Sequence, residues 1–217
     1  MEQTEFLKLK DELGRKGVTL VAVSKTKPDT DILRLYEWGQ RDFGENYVQE
    51  LTDKQQRLPE DIRWHFVGHL QRNKVKYIAP FVHLIHGVDS ERLLKEIDKE
   101  AGKHHRVISV LLQIFIADEE TKFGLDRREV MELLPALNQY KNVKVKGLMG
   151  MATFTSDTGK VSGEFNQLKY LFDECRRHEG CSDWNIISMG MSADYETAIA
   201  AGSTMVRIGT LLFGKRN

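Results

Sequence analysis

The feature that most constrains this chain is a regular alternation of short apolar runs with segments of helical periodicity. Some runs are apolar at consecutive positions, as at residues 21–23 and 110–112, which is typical of parallel strands that are covered on both faces. Eight runs are predicted as strands: residues 18–24, 41–43, 63–67, 82–88, 106–115, 143–151, 184–189 and 203–208. The second of these runs is the weakest.

Amphipathic segments separate the apolar runs and are predicted as helices. They cover residues 5–13, a helix capped by Ser90 that ends near Gly102, residues 127–137, residues 162–179, and a helix capped by Ser192 that ends at Ala201. Strands that alternate with helices form right-handed βαβ units, and about eight such units favour a closed barrel over an open doubly wound sheet. The fold class predicted is therefore α/β, a single TIM-like (β/α)8 barrel, although the pattern leaves seven or eight strands open.

Length and composition limit the organisation of the chain and its partners. The chain has 217 residues and no Pro-, Gly- or Ser-rich linker, so we expect one domain over residues 1–217. Lys plus Arg and Asp plus Glu both number 32, which gives no reason to expect nucleic acid as a partner. No apolar stretch approaches the roughly 20 residues that span a bilayer, and the two cysteines lack metal-ligand spacing. We expect a cytoplasmic protein without a membrane partner.

The first candidate for chemistry is Lys25, which directly follows an apolar run in the segment VAVSKTKP. The carboxyl ends of barrel strands form the active face, where partial desolvation favours the neutral amine needed for a Schiff base with an aldehyde. A strand-end lysine that simply extends to solvent is the alternative. Lys27, two residues further on, competes for the same role, and we expect it to be more exposed.

Two turns near the end of the chain carry small and hydroxyl-bearing residues. Gly190 and Ser192 follow the seventh predicted strand, and Gly209 and Thr210 follow the eighth. Backbone amides and hydroxyls there suit a phosphate, and the loops after strands seven and eight are the usual phosphate site of these barrels. Arg207 lies within the apolar eighth strand, so it either pairs with a carboxylate or faces the ligand.

Six stretches together resemble one known family. They are VAVSKTKP (21–28), FGENYVQE (43–50), WHFVGHLQRNK (64–74), TKFG (121–124), KGLMGMAT (146–153) and the stretch from SMGMSADYE to VRIGTLLFG (188–214). They span nearly the whole chain and resemble the YggS/PROSC family of pyridoxal phosphate homeostasis proteins. The resemblance implies a barrel of the alanine racemase N-terminal domain type.

The same resemblance implies a cofactor and its contacts. It implies pyridoxal 5′-phosphate (PLP) held as a Schiff base on Lys25, with Ser192, Gly209 and Thr210 at the phosphate. It also implies that Arg207 faces the pyridine nitrogen and that Asn46 lies beside the ring. The roles of His65 and Ser188 stay open between core residue and ligand neighbour, and Lys122 is interpreted as a loop residue near the barrel mouth.

The resemblance implies a protein of PLP (vitamin B6) homeostasis that binds PLP, delivers it to PLP-dependent apo-enzymes and has no robust turnover. The alternative is a PLP-dependent amino-acid racemase. That enzyme needs a C-terminal β-domain and a partner subunit's acid or base, and a chain ending at Asn217 leaves no residues for the β-domain. For the same reason we expect a monomer. The residues alone also admit an aldolase-like barrel that binds a sugar phosphate.

Overall fold

The computed structural model describes residues 1–117 and 123–214, and the strands of these residues form a closed parallel barrel. The strands are β1 Thr19–Val23, β2 Asp42–Glu45, β3 Arg63–Phe66, β4 Leu84–Val88, β5 Ile108–Ile114, β6 Val143–Gly150, β7 Ile186–Ser188 and β8 Met205–Ile208. Each strand pairs with the next along the chain, and β8 pairs with β1. All eight predicted strands and the closed barrel are confirmed. Lys122 lies outside the described residues.

The barrel is surrounded by the helices that connect its strands. Among the described residues they are α1 Gln3–Arg15, α2 Asp29–Glu37, α3 Val48–Arg57, α4 Val75–Ile78, α5 Glu91–Lys103, α6 Arg127–Leu133, α7 Thr158–Cys175, α8 Tyr195–Ala200 and α9 Thr210–Phe213. Short 3₁₀ turns cover Arg72–Lys74 and Leu134–Gln139. The predicted cap at Ser90 is confirmed, because its hydroxyl accepts a hydrogen bond from the Leu93 amide at 3.3 Å.

Two predicted helices have different ends. The helix predicted over residues 127–137 ends at Leu133 and continues as a 3₁₀ turn, because Pro135 has no N–H to donate to the preceding turn. The helix predicted over residues 162–179 begins earlier, since the Asp157 carboxylate accepts from the Lys160 amide and starts α7 at Thr158.

The prediction that Ser192 caps a helix is wrong. Helix α8 begins at Tyr195, after Asp194, whose carboxylate accepts from the Met191 amide at 2.6 Å and closes the preceding turn. The Ser192 hydroxyl instead lies against the turn that follows β8. The Ser192 side chain therefore contacts the turn after β8 at the carboxyl end of the barrel and does not cap α8.

Side chains alternate between the two faces of each strand and form two cores. The inward-facing core is a small apolar cluster of Val21, Leu84, Leu111, Met149 and Met205. The opposite face of the strands packs against the helices in a much larger core. No helix of the described residues has the length and apolar character needed to cross a bilayer.

The β5–β6 pair contains an irregularity that depends on one glycine. The register shifts between Val110 and Leu111, opposite Gly147, which has φ +149°. A Cβ atom at Gly147 would lie 1.9 Å from the Ile186 carbonyl oxygen of β7. Only glycine fits here, and the irregularity sets the position of the last residues of β6 at the carboxyl end of the barrel.

Gly147→Ala should lower the free energy of unfolding by roughly 3 kcal/mol, because the added methyl group meets backbone that cannot move without separating β6 from β7. Urea unfolding measures the change. The matched control is Gly163→Ala on the exposed side of α7, where nothing lies within 4 Å of the new Cβ. That variant should gain about 0.5–1 kcal/mol from helix propensity. Equal effects of the two substitutions would contradict the account.

Candidate functional site

Lys25 lies two residues beyond β1, between the ends of β2 and β8. The register of β1 with β8 pairs Val21 with Arg207 and Ala22 with Ile208. The backbone after β1 therefore runs beside the turn at Gly209, where a Cβ atom would lie 3.1 Å from the Val23 carbonyl oxygen. Lys25 and the turn after β8 consequently occupy neighbouring positions at the carboxyl end of the barrel.

Lys25 and Lys27 are both half-buried. That Lys27 is the more exposed of the two stays a prediction. The Lys27 amine donates to the Phe213 carbonyl oxygen at 3.1 Å, which directs it toward the end of α9. This contact gives Lys27 a structural role.

The turn that carries Lys25 has a strained backbone at the next residue. Thr26 adopts φ +63°, a left-handed conformation that β-branched residues rarely adopt. Its amide donates to a Glu50 carboxylate oxygen at 2.6 Å, and this bond holds the turn in place. The Lys25 position is thus fixed by contacts outside its own strand.

A buried ion-pair network supports this turn from the side of α3. The Lys54 amine donates to the Ser24 carbonyl oxygen at 2.8 Å, to Glu45 at 2.8 Å and to Glu50 at 2.6 Å. The Ser24 hydroxyl donates to the same Glu45 oxygen at 2.6 Å. Burial raises the pKa of Glu45 to about 7, although Lys54 and Ser24 act in the opposite direction. The other Glu45 oxygen, Oε2, is buried and has no hydrogen-bond partner within residues 1–117 and 123–214.

Arg207 is buried at 5% exposure on β8 and points into the barrel. Its guanidinium donates to the Ser188 hydroxyl at 2.6 Å, to the Ser188 carbonyl at 2.8 Å and to the Gly150 carbonyl at 3.1 Å. Among the described residues it forms no salt bridge, so the pairing with a carboxylate that the sequence left open is not observed. Burial lowers the pKa of Arg207 to about 10, which still leaves the side chain protonated at neutral pH.

Ser192, Gly209 and Thr210 meet at the turn between β8 and α9. The Ser192 hydroxyl accepts from the amides of Gly209 and Leu211, both at 3.3 Å. These amides converge on one oxygen atom, and the Thr210 side chain is exposed beside them. The hydroxyl and amides that the sequence assigned to a phosphate are therefore brought together by the fold.

Asn46 follows β2, whose register with β1 pairs Ala22 with Phe43 and Val23 with Gly44. Continuing that register by two residues sets Asn46 beside Lys25. The Asn46 side-chain oxygen, Oδ1, is buried and has no hydrogen-bond partner in the described part of the chain. A buried acceptor without a donor is costly and marks a position where a partner is expected.

The interior of the barrel also contains a row of polar side chains below Arg207. His86 Nδ1 lies 3.0 Å from the Ser188 hydroxyl, and His86 Nε2 lies 2.9 Å from His65 Nδ1. His65 Nε2 lies 3.0 Å from Asp42, which accepts two further hydrogen bonds from Arg63. Ser188 is thus both a buried strand residue and a neighbour of Arg207, and His65 is a satisfied core histidine.

Asp42, His65 and His83 bring three potential metal ligands within 4.8 Å of one another. Both Asp42 oxygens already accept hydrogen bonds, Oδ1 from His65 and Arg63 and Oδ2 from Arg63. We therefore interpret this group as an ion pair with a hydrogen-bonded histidine.

The fold and this arrangement of polar groups define a parallel (β/α)8 barrel whose site lies at the carboxyl ends of the strands. Residues 4–217 match the family described as alanine racemase, N-terminal domain. The pyridoxal phosphate homeostasis protein of Aquifex aeolicus is 41% identical over 208 residues, which cover 94% of this chain and 89% of that protein. The chain belongs to the alanine racemase N-terminal domain family and, within it, to the pyridoxal phosphate homeostasis proteins.

Solved structures agree with this assignment. PipY of Synechococcus elongatus without PLP is 35% identical, with a TM-score of 0.93 over 99% of this chain and 100% of that one. PipY with PLP bound is 36% identical, with a TM-score of 0.84 over 91% of this chain and 93% of that one. The resemblance stated from the sequence is confirmed at the level of the family.

Sequence reasoning missed Glu45, Lys54, Asp42 and His86. Asp42 and His86 had a detectable signal, because each is a charged or imidazole side chain within a run predicted as a strand and must find a buried partner. Glu45 and Lys54 lie outside the predicted strands. Glu45 lies in the FGENYVQE stretch, and His86 interrupts the apolar run of β4. The sequence does not show which partner each residue finds, because those partners are on other elements.

Glu45→Gln tests the buried network through pH. The folded protein holds the Glu45 proton more tightly than the unfolded chain, so this stabilisation is complete below pH 4.5 and is lost as the pH rises through about 7. The free energy of unfolding of the wild type relative to E45Q should fall by about 2 kcal/mol between pH 5 and pH 8. Urea unfolding at each pH measures it. The exposed variant Glu60→Gln should show no such trend, and a constant difference between wild type and E45Q would contradict the assignment.

Proposed function

We propose that residues 1–217 form a single domain that binds PLP as a Schiff base on Lys25 and serves PLP homeostasis without robust turnover. The observation that carries the proposal is the strand register that brings the end of β1 between Asn46 on one side and Arg207 and Gly209 on the other. Formation of the Schiff base joins the lysine nitrogen to the aldehyde carbon and releases water. The PLP-bound structure of PipY supports the choice of cofactor.

The described residues supply polar groups for the phosphate and for the ring of PLP. The amides of Gly209 and Leu211, with the hydroxyls of Ser192 and Thr210, supply donors for the phosphate. The Asn46 Oδ1 atom, which has no partner among the described residues, is available beside the ring. Each part of the cofactor therefore meets a group of suitable chemistry.

Arg207 determines what kind of chemistry the site supports. A guanidinium has donors only, so beside the pyridine nitrogen it donates and keeps that nitrogen unprotonated. PLP supplies an electron-accepting ring, and that capacity is weaker when the nitrogen carries no proton. A site built around Arg207 favours storage and delivery of the cofactor over vigorous carbanion chemistry.

A PLP-dependent amino-acid racemase is the second candidate, since the family model is that of a racemase domain. It predicts exchange of the α-proton of L-alanine in deuterated water above the rate with free PLP. Delivery of PLP to apo-enzymes, a monomeric state and a cytoplasmic location stay predictions.

Lys25→Ala should abolish covalent attachment of PLP. The wild type incubated with PLP and reduced with borohydride should gain one phosphopyridoxyl group, which peptide mapping by mass spectrometry should locate at Lys25. Lys27→Ala is the matched control and should keep the adduct, because its amine contacts the Phe213 carbonyl. An adduct on Lys27, or on Lys25→Ala at wild-type yield, would refute the site.

Arg207→Glu should change the absorbance spectrum of bound PLP, because a carboxylate in place of the guanidinium favours protonation of the pyridine nitrogen. Circular dichroism checks that the variant is folded. Arg177→Glu, at an exposed position in the turn that follows α7, should leave the spectrum unchanged. An Arg207→Glu protein that binds PLP with the wild-type spectrum would show that Arg207 does not contact the ring.

A further inference from the structure

The polar row inside the barrel connects Arg207 with the opposite end of the molecule. Asp42 is the first residue of β2, His65 and His86 lie near the middle of β3 and β4, and Ser188 is the last residue of β7. β4 and β7 are not neighbours in the sheet, so the contact between His86 and Ser188 crosses the interior of the barrel. The row therefore runs from the amino-terminal end of the barrel to the guanidinium of Arg207.

One hydrogen-bond direction holds along the whole row when both histidines are neutral, because the Asp42 carboxylate can only accept and Arg207 can only donate. The Ser188 oxygen accepts from Arg207, and in this order the Ser188 hydroxyl donates to His86 Nδ1. A neutral His86 then carries its proton on Nε2 and donates to His65 Nδ1. His65 in turn carries its proton on Nε2 and donates to the Asp42 carboxylate, which can only accept.

The charge states required for this order agree with the surroundings. Burial lowers the pKa of His86 well below its usual value, and the neighbouring His65 and Arg207 act in the same direction. Burial alone would raise the pKa of Asp42, but hydrogen bonds from Arg63 and His65 outweigh it and hold the pKa well below its usual range. His86 is therefore neutral and Asp42 is ionised at neutral pH.

The cost of such a row indicates that it does more than fill space. Barrel interiors are usually packed with branched apolar side chains, as the cluster around Leu84 and Leu111 is here. His65 and His86 are at most 1% exposed, and a buried polar group is tolerated only when it is hydrogen-bonded. An apolar core would avoid this requirement, so the departure from it marks a functional constraint.

We infer that Asp42, His65, His86 and Ser188 form a proton-ordered chain of positioning residues that orients Arg207 toward PLP and couples it to the amino-terminal end of the barrel. The role toward PLP rests on the proposed function. The ordered chain itself does not, because it follows from contacts among this protein's own residues. In this proton order Ser188 accepts one hydrogen bond from Arg207 and donates its own hydrogen to His86, whereas the reversed order would give the Ser188 oxygen two donors.

Replacing Asp42 by asparagine tests the far end of the chain. An amide can donate as well as accept, so it allows the reversed order in which His86 donates to Ser188 from Nδ1. Ser188 then receives two donors, and its contact with Arg207 changes. An effect of Asp42→Asn that reaches bound PLP along this chain passes through four side chains, those of His65, His86, Ser188 and Arg207.

The proton order is tested first in the protein without PLP. Long-range ¹H–¹⁵N correlation spectra distinguish the two neutral tautomers of histidine and its protonated form. A variant in which glutamine replaces the five exposed histidines leaves only the rings of His65 and His86 in the spectrum. The replaced residues are His69, His83, His104, His105 and His178. Both buried rings should be neutral with the proton on Nε2. A proton on Nδ1 of either ring, or on both nitrogens near neutral pH, would overturn the inference.

The coupling to PLP is tested with two pairs of variants. Ser188→Ala and Asp42→Asn should both shift the visible absorbance maximum of bound PLP, with the larger shift for Ser188→Ala. Their matched controls, Ser203→Ala and Asp61→Asn, should keep the wild-type maximum. The buried Ser203 hydroxyl contacts backbone carbonyls of β7, β8 and their flanking residues, and Asp61 lies on the surface.

Borohydride adduct yield is measured in parallel for every variant. A wild-type spectrum in Asp42→Asn would overturn the coupling, and a wild-type spectrum in Ser188→Ala would overturn the positioning role. Failure of the wild type itself to bind PLP would refute the proposed function, whereas the tautomer measurement would still decide the ordered chain.

Discussion

The structure depends on the buried guanidinium of Arg207, which forms no salt bridge with any carboxylate of the described residues. Arg207 is taken out of water by the barrel and is compensated among the described residues only by neutral oxygens of Ser188 and Gly150. Burying a charge is unfavourable unless other groups stabilise it, so these oxygens must be held firmly. Much of the polar architecture inside the barrel is explained by this requirement.

The turn that carries Lys25 is held by a second buried network on the other side of β1. Lys54 contacts the Ser24 carbonyl, Glu45 and Glu50, and Glu50 in turn holds the strained Thr26. Strained backbone persists only where the surroundings over-determine it, and such positions cluster at functional sites. The lysine that we propose as the PLP attachment point therefore lies in a turn whose conformation is set by the protein's own contacts, without a ligand. A prepared site lowers the cost of binding, which suits a protein that stores a cofactor.

The fold could be predicted from the sequence because its signals are local. Consecutive apolar residues, as at Val21 and Leu111, indicate strands covered on both faces, and their number indicates the barrel. The helices over residues 29–37 and 48–57 were missed because they bury few apolar residues. The cap assigned to Ser192 was wrong because its real partners, the amides after β8, are remote in sequence.

The residues of the candidate site also differ in whether a local sequence signal indicates them. Residues that stand at strand ends, such as Lys25 and Gly209, were candidates from their position, and the family resemblance supplied their proposed roles. The residues that support the Lys25 turn and Arg207, such as Lys54 and His86, were missed because their roles depend on contacts between different elements. Hydrophobic periodicity indicates which side chains are buried, whereas the pairing of polar side chains emerges only once the barrel closes.

A crystal structure of this protein with PLP tests the central claim most directly. The account predicts the pyridine nitrogen within hydrogen-bond distance of the Arg207 guanidinium, about 2.7–3.2 Å, and a covalent bond between the aldehyde carbon and Lys25. It also predicts the phosphate against the Ser192 hydroxyl and the amides that follow β8. A pyridine nitrogen that faces a carboxylate, or a phosphate bound away from that turn, would contradict it.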